Sequence, residues 1–141
     1  MTLFREWEHL FGQASGYSKR QLDIFKNYEV KNKAVLIHTN WDQFWRTNTY
    51  ATDHPHLTES AAQYLADQQV RLVGIDSYNI DNTSGNARPV HSILLKNEIF
   101  IVEHMCLLDQ IVGKEFVFSA LPLKIESMGS FPVRAYAKVN K

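Results

Sequence analysis

The 141-residue chain has little of what would place it outside the cell, in a membrane or on nucleic acid. Cys106 is its lone cysteine, so no internal disulfide can form, which fits a reducing cytoplasm. No run of eighteen or more apolar residues occurs, and Arg5, Glu6, Glu8 and His9 stand where a signal peptide would be apolar. The expectation is a soluble, unexported protein. Fifteen basic side chains balance fifteen acidic ones. No basic run is interleaved with aromatics, which argues against a nucleic-acid partner. Nor does a repeat, a low-complexity tract or a Pro/Gly linker divide the sequence.

What remains is ordinary globular composition, 45% apolar and 12% aromatic, in a length suited to one domain with a real core. Leu3, Trp7, Leu10 and Phe11 recur at helical spacing and predict a helix over 2–12. Ser18 caps a second predicted helix through Asn27. Residues 34–37 are a short, branched, continuously apolar run, the pattern of a strand covered on both faces, and 71–75 is the next buried strand. Thr58 opens a helix to about Gln69, with Ala61, Ala62 and Leu65 inward. Pro89 suits the first turn of a short helix. Strands follow at 99–102, 116–120 and 133–139, giving a mixed α/β domain. Function in open α/β sheets gathers beyond the carboxyl ends of strands. Thr39, Asp76 and Glu103 all fall there.

His91 and Glu103, twelve positions apart, are the side chains that carry most chemistry. Imidazole and carboxylate are the usual protein donors to a catalytic divalent metal, and both move protons. Read on composition alone, His91 would merely sit at a helix start and Glu103 would be a solvated strand-end carboxylate. Asp76 and Asp81 read as turn and cap residues that bond nearby N–H groups. His54 and His56 could chelate from a strand, but Pro55 between them favours a loop leading into the helix at Thr58. His38 and His104 read as surface or satisfied histidines, either able to carry a proton. Trp41, Phe44, Trp45 and Tyr50 could stack on an aryl substrate or pack a core. Cys106, in a Met-Cys-Leu-Leu run, reads as a buried apolar residue and not a nucleophile.

Six blocks in order, from Ala34-Val35-Leu36-Ile37-His38-Thr39-Asn40-Trp41 to Ser130-Phe131-Pro132-Val133-Arg134-Ala135, carry a resemblance. Between them lie 54–62, 70–76, 88–103 and 120–124. Together they resemble the cyclase family of metal-dependent hydrolases, which includes bacterial kynurenine formamidases and isatin hydrolases. The resemblance implies a swivelling β/β/α-type domain with 34–141 as the family core, 1–33 as a helical lead-in, and an N-terminal truncation. It implies that His91 and Glu103 are metal ligands and catalytic residues, with zinc or manganese bound if the chain is active. It also implies assembly into dimers or tetramers, and a small aromatic amide as substrate beside Trp41 and Trp45. The family's His-x-Gly-Thr-His-x-Asp-x-Pro-x-His motif is absent, and Thr39-Asn40-Trp41 stands where Thr-Gly-Trp is usual. Two readings therefore stand. The chain is an arylformamidase-like hydrolase that borrows ligands from another polypeptide, or an inactive paralogue that binds small molecules or its own copies.

Overall fold

Ala34, Val35, Leu36 and Ile37 offer no polar face, and such a run is stable as a strand only between two apolar layers. The computed structural model, which describes residues 2–3 and 28–139, places it there. Strands β1 (Thr2–Leu3), β2 (Ala34–Ile37), β3 (Leu72–Ile75) and β4 (Phe100–Val102) form one parallel sheet in that order. Val35 lies opposite Val73, and Val73 opposite Ile101.

Alternation sorts the strand side chains into two cores. Val35, Ile37, Val73, Ile75 and Ile101 meet Ala61, Leu65 and Leu94 of helices α1 (Glu59–Asp67) and α2 (Pro89–Lys96). Ala34, Leu36, Leu72 and Val102 face the other way, onto strands β5 (Phe116–Leu121) and β6 (Arg134–Val139). These two strands pair antiparallel with Phe116 opposite Val139. Helices, parallel sheet and two-stranded sheet make three layers, the expected β/β/α arrangement. Gly74 sits where the sheet meets the residues after β4. A Cβ there would lie 2.5 Å from Met105 Sδ and 2.7 Å from Leu36 Cδ2.

Both helices start for identifiable reasons. The Thr58 hydroxyl accepts from Ala61 N at 3.3 Å, satisfying one of the free N–H groups of α1. The helix ends where Gln69 takes the left-handed conformation at φ 56°. In α2, Pro89 fills a first-turn position that needs no N–H, but Arg88 before it gives no side-chain cap. A remote acceptor has to replace it, and it proves to belong to the site.

The N-terminal prediction needs correction. Thr2 and Leu3 pair in parallel with Val35 and Leu36 as an edge strand, where the helical spacing predicted the start of a helix. The rest of that helix, and the one predicted over 18–27, lie outside the described residues. Asn40 adopts φ 59°, a left-handed turn that asparagine tolerates and that the family pattern fills with glycine.

Candidate functional site

Strands β2, β3 and β4 end side by side at Ile37, Ile75 and Val102, so the residues that follow share one edge of the sheet. Strand parity then aims Glu103. It has the parity of Ile101, which packs on the helix layer, and there it meets the first turn of α2. Glu103 Oε1 accepts from Ile80 N at 2.7 Å and lies 3.6 Å from His91 Nε2. The two residues singled out in the sequence are thus brought together, both only partly exposed.

Asp81 holds the other side of His91. Its carboxylate accepts from Val90 N at 2.7 Å, His91 N at 3.0 Å and His91 Nδ1 at 2.7 Å. It is therefore the remote cap that α2 lacks, and it is completely buried. A buried charge is tolerated only when its oxygens are matched, and three N–H donors at a helix start do this. With Nδ1–H given to Asp81, a neutral His91 leaves its Nε2 lone pair facing Glu103. The sequence predicts Asp81 to be a turn and cap residue, and it does cap. Its grip on the imidazole was missed. The available signal was the proline-led helix without a Ser, Thr, Asp or Asn of its own in front.

Does this arrangement suit a metal ion? Two ligands bound at 2.0–2.1 Å with a tetrahedral angle lie about 3.4 Å apart. The 3.6 Å between His91 Nε2 and Glu103 Oε1 agrees with that. A carboxylate on the far ring nitrogen is also the usual way a ligating histidine is oriented. The pair fits a metal, but a catalytic zinc takes three protein ligands, and these two do not complete the set. A second cluster, His38, Asp42 and Asp76, brings donor atoms within 4.8 Å of one another. Its oxygens have other work. Asp76 accepts from Thr39 N, from the Thr39 hydroxyl and from Asn40 N, tying the end of β3 to the turn after β2. Burial raises the Asp76 pKa, opposed by those Thr39 bonds and by His38. Asp42 accepts from Leu107 N at 3.0 Å. This cluster is a structural clamp.

The aromatic residues divide. Trp41 gives its indole N–H to Tyr50 O at 2.9 Å and packs on Phe44, so it braces the turn. Trp45 is 56% exposed and stands edge-on to Tyr50. Buried Tyr50 reaches His104 Nδ1 at 3.1 Å, and Tyr78 lies edge-on to both rings. Burial first, then the charges of Asp76, Asp42 and Glu103, push the Tyr50 pKa up to about 12, so it stays a neutral hydroxyl. His54 is not a plain loop residue: it is buried among Pro55, Ser77 and Thr83. Cys106, expected inside, is exposed, because Met105 takes the inward position against Leu36 and Phe116.

Comparison with known proteins agrees with this architecture. The chain matches the family model described as "Putative cyclase" over residues 12–82, just over half of its length. It is 31% identical over 117 residues to the kynurenine formamidase of Bacillus mycoides (strain KBAB4), covering 83% of this chain and 54% of that protein. A solved structure described as a potential metal-dependent hydrolase with cyclase activity is 26% identical. It superimposes with a TM-score of 0.74 over 95% of this chain and 61% of that one. Isatin hydrolase A from Ralstonia solanacearum reaches a TM-score of 0.82 at 19% identity, over 96% of this chain and 58% of its own, and so shares the fold. The chain spans about half the length of the relatives it matches. Layer order, strand register and the family match lead to one conclusion: this chain belongs to the cyclase family.

Proposed function

We propose that the chain is part of a metal-dependent amide hydrolase in which His91 and Glu103 are two of the metal donors and catalytic residues. The observation that carries this is the 3.6 Å approach of His91 Nε2 to Glu103 Oε1, with Asp81 fixing the opposite ring nitrogen. Zinc or manganese suits an imidazole–carboxylate pair, and when bound such an ion activates water and polarises a carbonyl. The chain's own contribution is orientation. Asp81 fixes the imidazole, and Ile80 N–H fixes one oxygen of Glu103 while the other stays free to accept a proton. The remaining donors come from another polypeptide or from chain outside the described residues.

Kynurenine formamidases among the relatives support an aryl amide of the N-formylkynurenine type as substrate. Half-exposed Trp45, beside His104 on the same sheet edge, offers an aromatic face for it, whereas Trp41 is engaged within the turn. The cytoplasm suits an exposed single thiol, and no helix among the described residues is long and apolar enough to cross a membrane.

The test pairs elemental analysis with a formamidase assay after adding zinc or manganese, with the polypeptide that supplies the remaining donors present. Bound metal and turnover, both lost in Glu103→Gln, are the expected results. Turnover that survives Glu103→Gln, or that needs no metal, contradicts the reading.

A further inference from the structure

The loop between β3 and α2 carries both groups that position the candidate donors. Ile80 N–H binds Glu103, and Asp81 binds His91. Any element that fixes this loop fixes the geometry of the site. Backbone pairing supplies one anchor, since Leu57 N donates to Ile80 O at 2.9 Å. His104 N donates to Ser77 O at 3.1 Å as another, and a further anchor is a side chain. His54 Nε2 lies 2.9 Å from the Thr83 hydroxyl, two residues beyond Asp81. Its Nδ1 lies 3.1 Å from Pro55 O and 3.2 Å from the Ser77 hydroxyl at the end of β3. Ser77 in turn donates to Pro55 O at 2.6 Å.

We propose that His54 is a positioning residue for the His91–Glu103 site, a latch that ties the far side of the 76–88 loop to the end of β3 and the lead-in of α1. It touches neither candidate donor, so any effect passes through Thr83 and Asp81. The bond pattern assigns the ring roles. Nδ1–H donates to Pro55 O, and Nε2 accepts from the Thr83 hydroxyl. A ring that is 3% exposed and bonded at both nitrogens has a single orientation available. The site carries the consequence, because Asp81 is anchored only by what it binds and by the loop on either side. Without the latch, the bonds from Val90 N and His91 N to Asp81 open more often.

The functional meaning of the latch rests on the proposed metal site, but the latch can be judged without a metal. Three variants of the full chain separate the alternatives: Thr83→Val removes the hydroxyl at nearly constant shape, Thr83→Ser keeps it, and His54→Phe removes both ring nitrogens. Amide hydrogen exchange is read at Val90 and His91, with Val73 and Ile75 in β3 as internal reference. In Thr83→Val and His54→Phe, exchange at the first pair should rise about tenfold, the scale of one lost hydrogen bond, while the reference pair holds. Thr83→Ser should restore wild-type rates. Unchanged exchange at Val90 and His91, or a rise shared equally by the β3 amides, overturns the latch. Zinc alone, titrated into wild type and Thr83→Val, then reads the coupling. Zinc should bind Thr83→Val more weakly than wild type; equal binding denies the coupling, and the exchange rates decide the latch whether or not zinc binds.

Discussion

Asp81 and His54 are buried polar side chains whose partners explain their burial. The Asp81 carboxylate replaces a missing local cap and orients His91 with the same two oxygens. Hydrogen bonds to a charged group are worth about 1.5–3 kcal/mol each, so the assembly outweighs much of the cost of burying the carboxylate. His54 is held neutral: burial lowers its pKa from 6.5, only partly opposed by the bond to Pro55 O. A lowered histidine contributes stability that is fully present above the unfolded value of 6.5 and is lost as pH falls through the folded one. His54→Phe removes this term. Between about pH 7 and 5 its urea midpoint should therefore fall less steeply than that of wild type. Equal slopes would show that His54 takes up its proton as readily folded as unfolded.

At the scale of elements, the apolar blocks were legible because a strand covered on both faces needs an unbroken apolar run. The predicted strands at 34–37 and 71–75 differ from β2 and β3 by no more than one residue. Thr58 and Pro89 marked their helices equally well, since capping is local chemistry. A two-residue edge strand carries no period, so Thr2 and Leu3 were absorbed into the helical spacing of Leu3, Trp7, Leu10 and Phe11. The convergence of His91 with Glu103 was foreseeable from the resemblance and from strand ends. The role of Asp81 was not, because it acts across nine and ten residues through a loop with no periodic pattern. Gly74 gives this scale its own test. Gly74→Ala places a methyl group against Met105 and Leu36 and should destabilise the fold by about 1–3 kcal/mol, read as a lower urea midpoint. An unchanged midpoint would mean that the flexible Met105 side chain yields without cost.

For the whole molecule, the β5–β6 layer is packed inside by Phe116, Phe118, Ala137 and Val139, and its outer face mixes apolar side chains with Ser119, Arg134 and Lys138. Val117, Leu121 and Tyr136 project outward on paired strands, each at least half exposed. Exposed apolar side chains clustered in this way suit an association surface, and we propose, as the family resemblance implies, that the chain assembles with its own copies through it. Leu121→Lys should then shift the sedimentation of the chain toward monomer without lowering its melting temperature. Sedimentation unaffected by the charge would place any self-association elsewhere.

The central proposal is that His91 and Glu103 together receive a divalent cation, and it can be read even when binding is weak. Manganese(II) titrated into the isotope-labelled chain broadens the amide signals nearest the ion. The signals of Ile80, His91 and Glu103 should fade first, and Glu103→Gln should abolish the effect. Broadening centred instead on Thr39, Asn40 and Asp42, beside the His38–Asp42–Asp76 clamp, or spread evenly over the surface, would contradict it.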